Sequence, residues 1–299
     1  MEPMVSIVVP TYNQAHLLKE ALDSVLAQSF TNWEAIIVNN FSKDDTVKVV
    51  EGFEEPRFQL MNFKNKGVIA ASRNQGILRT KGEYIAFLDS DDLWEPNKLE
   101  RCLERIRCGF DLVCHGILVK WEDGREIYAS FGPESRARYN ALLYEGNCIS
   151  TSATMVRKEL LVDLNGFDEN PDFITAEDYD LWMRIAQKSG QISFINEKLG
   201  VNRYHGNNAS SSDLKYFNAE WAVLSSHFAN EKKHNRLNPL KMRKRYALAY
   251  YNIGRKFQDL GKIKNALPYY FRSLKCYPFY KDLYISLSIA LKTFFSGKD

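Results

Sequence analysis

Apolar and polar positions follow two alternating periods along the first third of the chain. Val5-Ser-Ile-Val-Val9 is a short β-branched run closed by Pro10 and Asn13, which predicts a buried strand and its turn. From Gln14 to Gln28, Leu17, Leu18, Ala21, Leu22, Val25 and Leu26 fall at helical spacing. Trp33–Val38 reads as a second strand ending in Asn39-Asn40, and Ser42-Lys-Asp-Asp45 as a helix cap with acids in the first turn. Phe58–Phe63 is a third strand, and Asn65-Lys-Gly67 leads into a helix over Val68–Arg79. The run from Tyr84 to Leu88 is a fourth strand. Strand and helix alternate, so the pattern predicts an α/β fold with a parallel sheet and helices on both faces. Such sheets bind ligands at the carboxyl ends of their strands. Asn39, Asn40 and the residues after Leu88 sit at those ends.

The fourth strand stops at Asp89-Ser90-Asp91-Asp92. Three carboxylates at one strand tip repel each other, and a hard divalent cation or water relieves the repulsion. Oxygen ligands suit Mg²⁺ or Mn²⁺, and Mg²⁺ commonly shares one or two carboxylates with substrate phosphates. The plain alternative is a solvated turn followed by a helix cap, since Ser and Asp are ordinary in both.

The ordered set Val5–Asn13, Asn39–Thr46, Asn65–Gly67, Ala71-Ser-Arg-Asn74 and Phe87–Asp92 resembles family 2 glycosyltransferases. Gly166-Phe-Asp-Glu169, Ala176-Glu-Asp-Tyr-Asp-Leu-Trp-Met-Arg184 and Tyr204-His-Gly-Asn-Asn-Ala-Ser210 extend the resemblance to about residues 4–212. It implies the GT-A fold, a nucleotide-sugar-binding, mixed, mostly parallel sheet flanked by helices. It also implies a nucleotide-sugar donor, a glycan or lipid-linked acceptor, a divalent metal and inversion at the anomeric carbon. By resemblance Asp91 is the metal ligand, Asp89 lies nearer the ribose and metal-bound water, Asp89, Ser90 and Asp91 bind the nucleotide sugar, and His205 approaches the metal or diphosphate. Asp178 is the implied general base and Glu177 the runner-up, at the start of a helix anchored by Leu181, Trp182, Ile185 and Ala186. Pro10, Thr11 and Tyr12 are implied for the nucleobase, and Arg73 is implied to reach the nucleotide. Arg203 and Ser210–Ser212 are weaker candidates for the phosphates. Asn39 departs from the family, which has Asp there to accept N3–H of uracil. Asn keeps an acceptor oxygen and loses the charge, so the nucleotide is left open, with a UDP-sugar favoured.

Composition adds a second region. Apolar residues make up 45% of the chain and aromatics 13%, enough for a full core, and no long apolar run predicts a membrane span. Residues 213–299 hold 17 Lys or Arg against 6 Asp or Glu, whereas residues 1–212 hold 23 against 31. The expected division is a transferase domain over 1–212 and a small, basic, all-α region over 213–299. An anionic membrane surface is the partner such asymmetry predicts, with a solvated helical face as the plainer reading. No nucleic acid is expected. Ile253, Gly254, Phe257, Gly261, Ala266, Tyr270, Ser273 and Pro278 reproduce one tetratricopeptide-like repeat. One repeat cannot close its own core, so helices near 214–229 and 282–295 are expected to flank it. The odd number of cysteines, without metal-site spacing, and a first strand that starts at once fit a cytoplasmic protein, and the basic tail adds a peripheral place at the inner face of the membrane.

Two other function classes compete. A silent nucleotide-sugar-binding scaffold would explain Asn39 and Asn40, but Asp89, Asp91, Glu177 and Asp178 are retained. A dinucleotide-dependent oxidoreductase fails because no Gly-x-Gly-x-x-Gly follows the first strand.

Overall fold

The computed structural model describes residues 2–188, 190–205 and 213–296. Ser210–Ser212 and most of the last downstream motif lie outside the described residues. The described residues up to Leu142, with those from Asn147 to His205, form one compact unit; Leu143–Gly146 and the described residues from Asp213 onward form a second.

The first unit begins with the expected alternation: β1 (Val5–Thr11), α1 (Ala15–Leu26), β2 (Trp33–Asn39), α2 (Thr46–Glu51), β3 (Phe58–Asn62), α3 (Ile69–Arg79) and β4 (Tyr84–Phe87). β1, β2 and β4 are wholly buried, which is why they read as continuous apolar runs. β1 pairs in parallel with β2 on one side and β4 on the other, and β3 extends the parallel half beyond β2. Gly76 lets α3 lie close on β1; a Cβ there would stand 2.5 Å from Val8 Cγ1.

After β4 the directions mix. The chain continues through β5 (Leu93–Trp94), α4 (Lys98–Arg107), β6 (Leu112–Trp121), β7 (Glu126–Ala129), α5 (Tyr139–Glu145), β8 (Thr154–Arg157), α6 (Lys158–Asp163), α7 (Glu177–Gln187) and β9 (Ile192–Tyr204). β8 runs antiparallel between β4 and β6. β9 runs parallel to β6 and antiparallel to β5. The sheet order is β3-β2-β1-β4-β8-β6-β9-β5, with β7 on β6. Ile7, Val9, Leu22, Val25, Ile37, Leu99 and Met155 belong to one core cluster that joins the sheet to α1 and α4.

The second unit contains α8 (Asp213–Lys233), α9 (Pro239–Asp259), α10 (Ile263–Cys276) and α11 (Lys281–Phe295). Asn238 caps α9 by accepting the Lys241 N–H at 3.0 Å. The repeat signature explains the packing of α9 on α10. A Cβ on Gly254 would meet the Tyr270 ring at 2.7 Å, and the Ser273 hydroxyl donates to the Ala247 carbonyl at 2.7 Å. α8 packs through aromatics, with Trp221 stacked on Tyr246 at 4.1 Å. Tyr144 belongs to this unit: its ring meets Phe228 at 5.7 Å and its hydroxyl accepts the Asn238 N–H at 3.0 Å. Among the described residues no helix is long and apolar enough to cross a membrane.

Candidate active site

The carboxyl ends of β1, β2 and β4 form one end of the first unit's sheet. Thr11 ends β1 opposite Asn39, which ends β2. Tyr12 is half exposed just beyond, while Thr11 is buried and its hydroxyl has no hydrogen-bond partner. The Asn39 side chain is buried and engaged at both ends: Oδ1 accepts the Ser42 N–H at 3.0 Å and Nδ2 donates to Asn62 Oδ1 at 2.8 Å. Each end retains one further hydrogen-bonding position.

The acidic tip is braced from three sides. Gln14 bridges it, accepting from the Ser90 hydroxyl at 2.6 Å and donating to Asp91 Oδ2 at 3.3 Å. His205 Nε2 lies 3.2 Å from the same Asp91 oxygen. Asp92 is buried and accepts from Asn202 Nδ2 at 3.2 Å and the Arg203 N–H at 3.3 Å, so it ties the end of β9 to the tip and does not cap α4. Arg203 completes the tie by donating to the Asp91 carbonyl and to Glu20. Burial and the neighbouring Asp89 carboxylate push the Asp91 carboxyl above its ordinary value.

Arg73, which the resemblance implies reaches the nucleotide, is buried and pairs with two carboxylates. Its Nη1 donates to Glu177 Oε1 at 2.6 Å and its Nη2 to Asp89 Oδ1 at 2.7 Å. Glu177 is engaged at its other oxygen as well, by the Thr175 N–H at 2.7 Å. Thr175 reaches that position with φ +87°, a conformation a β-branched residue adopts only under strain.

Asp178 is held differently. Its Oδ2 accepts from the Thr151 hydroxyl at 2.7 Å and its Oδ1 from the Tyr179 N–H at 2.7 Å. Burial and the Glu177 carboxylate push its pKa up to about 6, opposed by the Thr151 hydrogen bond and the Arg73 charge. A helix N-terminus favours the ionised form, so Asp178 suits a base that is deprotonated at neutral pH. Asp180 pairs with Arg184 one turn on, at 2.7 Å.

The turn Thr151–Ala153 links these two clusters, and the sequence carries no signal for it. Thr151 holds Asp178, the Ser152 hydroxyl accepts the Asp89 N–H at 3.0 Å, and the Ser152 carbonyl accepts Trp94 Nε1 at 2.8 Å. Gln14 is equally hard to find from sequence; only its place directly after Val5–Asn13 hints at a role.

Among the described residues no group of three or more His, Cys, Asp or Glu side chains is set to hold a metal ion. What the structure offers is the pair Asp91 and His205. That fits a metal completed by a diphosphate and water, because Mg²⁺ is usually held by one or two carboxylates plus substrate phosphates.

Comparison with known proteins shows the family and the fold. The family model described as glycosyl transferase family 2 matches residues 6–164. The Escherichia coli protein WfgD, named UDP-Glc:alpha-D-GlcNAc-diphosphoundecaprenol beta-1,3-glucosyltransferase, is 32% identical over 231 residues, covering 76% of this chain and 87% of WfgD. The fold is similar to S. aureus TarS 1-349 in complex with UDP-GlcNAc, with TM-score 0.64, 19% identity, and 99% of this chain and 92% of that one covered. It is also similar to the mannosyltransferase PcManGT from Pyrobaculum calidifontis in complex with GDP-Man and Mn²⁺, with TM-score 0.61, 18% identity, and 97% and 85% covered. The mixed, mostly parallel sheet flanked by helices is the GT-A architecture. The chain belongs to glycosyl transferase family 2, and it is a glycosyltransferase.

Proposed function

We propose that this glycosyltransferase inverts the anomeric centre and moves a sugar from a nucleotide-diphosphate donor, a UDP-sugar, to an acceptor hydroxyl in bacterial surface-polysaccharide assembly. The observation that carries the reading is the division of labour at the start of α7. Arg73 and the Thr175 N–H engage both oxygens of Glu177, while hydrogen bonds position the Asp178 carboxylate. Asp178 takes the acceptor proton. Asp91 and His205 would hold Mg²⁺ or Mn²⁺, which when bound neutralises the departing diphosphate. Asp89, Ser90 and the β1 end, Pro10 to Tyr12, flank the nucleoside, and Arg73 acts on it through Asp89. Asn39 offers uracil N3–H its remaining acceptor position. WfgD is named for a diphosphoundecaprenol-linked substrate, and a lipid-linked glycan is the acceptor class we assign here. The basic C-terminal residues then face an anionic membrane surface on the cytoplasmic side.

Release of nucleoside diphosphate from UDP-, dTDP-, GDP- and CDP-sugars, with Mn²⁺ and with chelator, tests this reading. UDP release is expected to dominate and to collapse with chelator. Asn39→Asp is expected to preserve or tighten UDP binding, because a carboxylate in place of the amide can still accept the Ser42 N–H and the Asn62 amide can turn to donate. Preference for another base in both forms would sink the uridine assignment, and no turnover of any donor would favour the silent scaffold.

The pH profile follows from Asp178. The base works deprotonated, so kcat/KM is expected to be flat above about pH 6 and to fall about tenfold per pH unit below it. Thr151→Val removes a hydrogen bond to the ionised form. The acid limb should move to higher pH while the plateau changes little. A limb that stays in place would show that Thr151 does not act on the base.

A further inference from the structure

We propose that the outward face of α11 is a docking surface for an anionic lipid bilayer. The inference rests on the membrane reading above and gives it a specific place on the molecule.

α11 is apolar on two sides. Leu283, Ser286, Leu287 and Ala290 are buried, and Leu283, Leu287 and Ala290 cluster with Ala266 and Tyr270 of α10. The opposite stripe is open. Tyr284, Ile285, Ile289 and Phe295 are 50%, 62%, 48% and 80% exposed. Phe279, in the turn before α11, is 78% exposed. Scattered single apolar residues would need no explanation. Here they recur along one side of the helix, in two rows that flank Lys281, Ser288 and Lys292, and Tyr284 and Phe295 line a shallow groove of about 700 Å³ with Leu291 and Lys292.

Charge decides the occupant. Lys281 and Lys292 are both exposed. At 100° per residue they fall along the middle of the stripe, three turns and about 16 Å apart. Asp282 falls at its edge. A second copy would set these lysines against their own equivalents, in either orientation of the paired helices. The wider region repels a copy too, with 17 basic against 6 acidic residues over 213–299. An anionic bilayer reverses both terms. Aromatic and aliphatic side chains enter the interface while the lysines reach the headgroups, as in other interfacial helices.

Vesicle sedimentation tests this with the full chain. The probes are vesicles of equal parts phosphatidylglycerol and phosphatidylcholine, and vesicles of phosphatidylcholine alone. The parent is expected to bind the acidic vesicles at low salt and to release as salt rises. Lys281→Gln with Lys292→Gln should weaken binding about fivefold per lysine. Ile285→Ser with Ile289→Ser and Phe295→Ser should weaken it at least comparably and leave a residue of weak, purely salt-sensitive binding. These side chains are exposed, so circular dichroism and donor turnover should match the parent. If the parent binds acidic vesicles and both variants bind equally well, the membrane reading stands and α11 is not the surface. If the parent binds neither vesicle, both fall. A parent dimer by light scattering that the apolar variant abolishes, without vesicle binding, would assign the face to a second copy instead.

Discussion

Asp178→Asn is expected to lower kcat by about 10²–10⁴-fold, the usual contribution of a positioned general base, while nucleotide affinity stays close to that of the parent. The amide is nearly the same shape as the carboxylate: its oxygen can still accept the Tyr179 N–H, and its NH₂ can donate to the Thr151 hydroxyl, now 2.7 Å from Oδ2. It cannot take a proton from the acceptor. Single-turnover rates and calorimetric nucleotide binding separate the two effects. Near-parent turnover would place the base elsewhere, and Glu177→Gln would then be the next variant to measure.

Arg73→Met is expected to reduce unfolding free energy by about 3–5 kcal/mol, the cost of leaving a buried charge without its partner. Arg73 is 4% exposed and Glu177 7%. With the guanidinium gone, Glu177 stands unpaired against Asp178, and the Arg73 charge no longer helps to keep Asp178 ionised. Urea denaturation measures the loss. Glu177→Gln in the Arg73→Met background should recover part of it by removing the stranded charge. A loss below about 1 kcal/mol, the value of an exposed pair, would show that the triad contributes little to the fold.

Local features were legible in the sequence because local physics writes them. The apolar runs of β1, β2 and β4 are unbroken because both faces of those strands are buried. The acids of α7 and the carboxylates after β4 stand at element ends, where turn and helix chemistry expose them. The tetratricopeptide-like spacing identified the Gly254–Tyr270 contact region. What stayed hidden depends on pairs far apart in the chain. Arg73 meets Glu177 across 104 positions, and Thr151 meets Asp178 from a turn with no pattern of its own. Resemblance assigned Arg73 to a nucleotide; no local rule reveals that two carboxylates already engage it. Likewise the Asp89–Asp92 run could be read as a solvated turn and helix cap, and only the arrival of β9 makes Asp92 an anchor for Asn202 and Arg203.

The place of β8 between β4 and β6 has a consequence for how the chain is made. β4 is complete at residue 87, but its second neighbour begins at residue 154, and β9, which carries the chain to His205, lies beyond residue 190. At synthesis rates of about 5–20 residues per second, the interval from β4 to β8 lasts on the order of 3–15 seconds. Throughout it a Val- and Ile-rich parallel half-sheet has an unpaired edge, the kind of edge that recruits wrong partners. The acidic tip sits at the end of that open strand. Charged side chains are one of the devices by which proteins discourage pairing at an open edge.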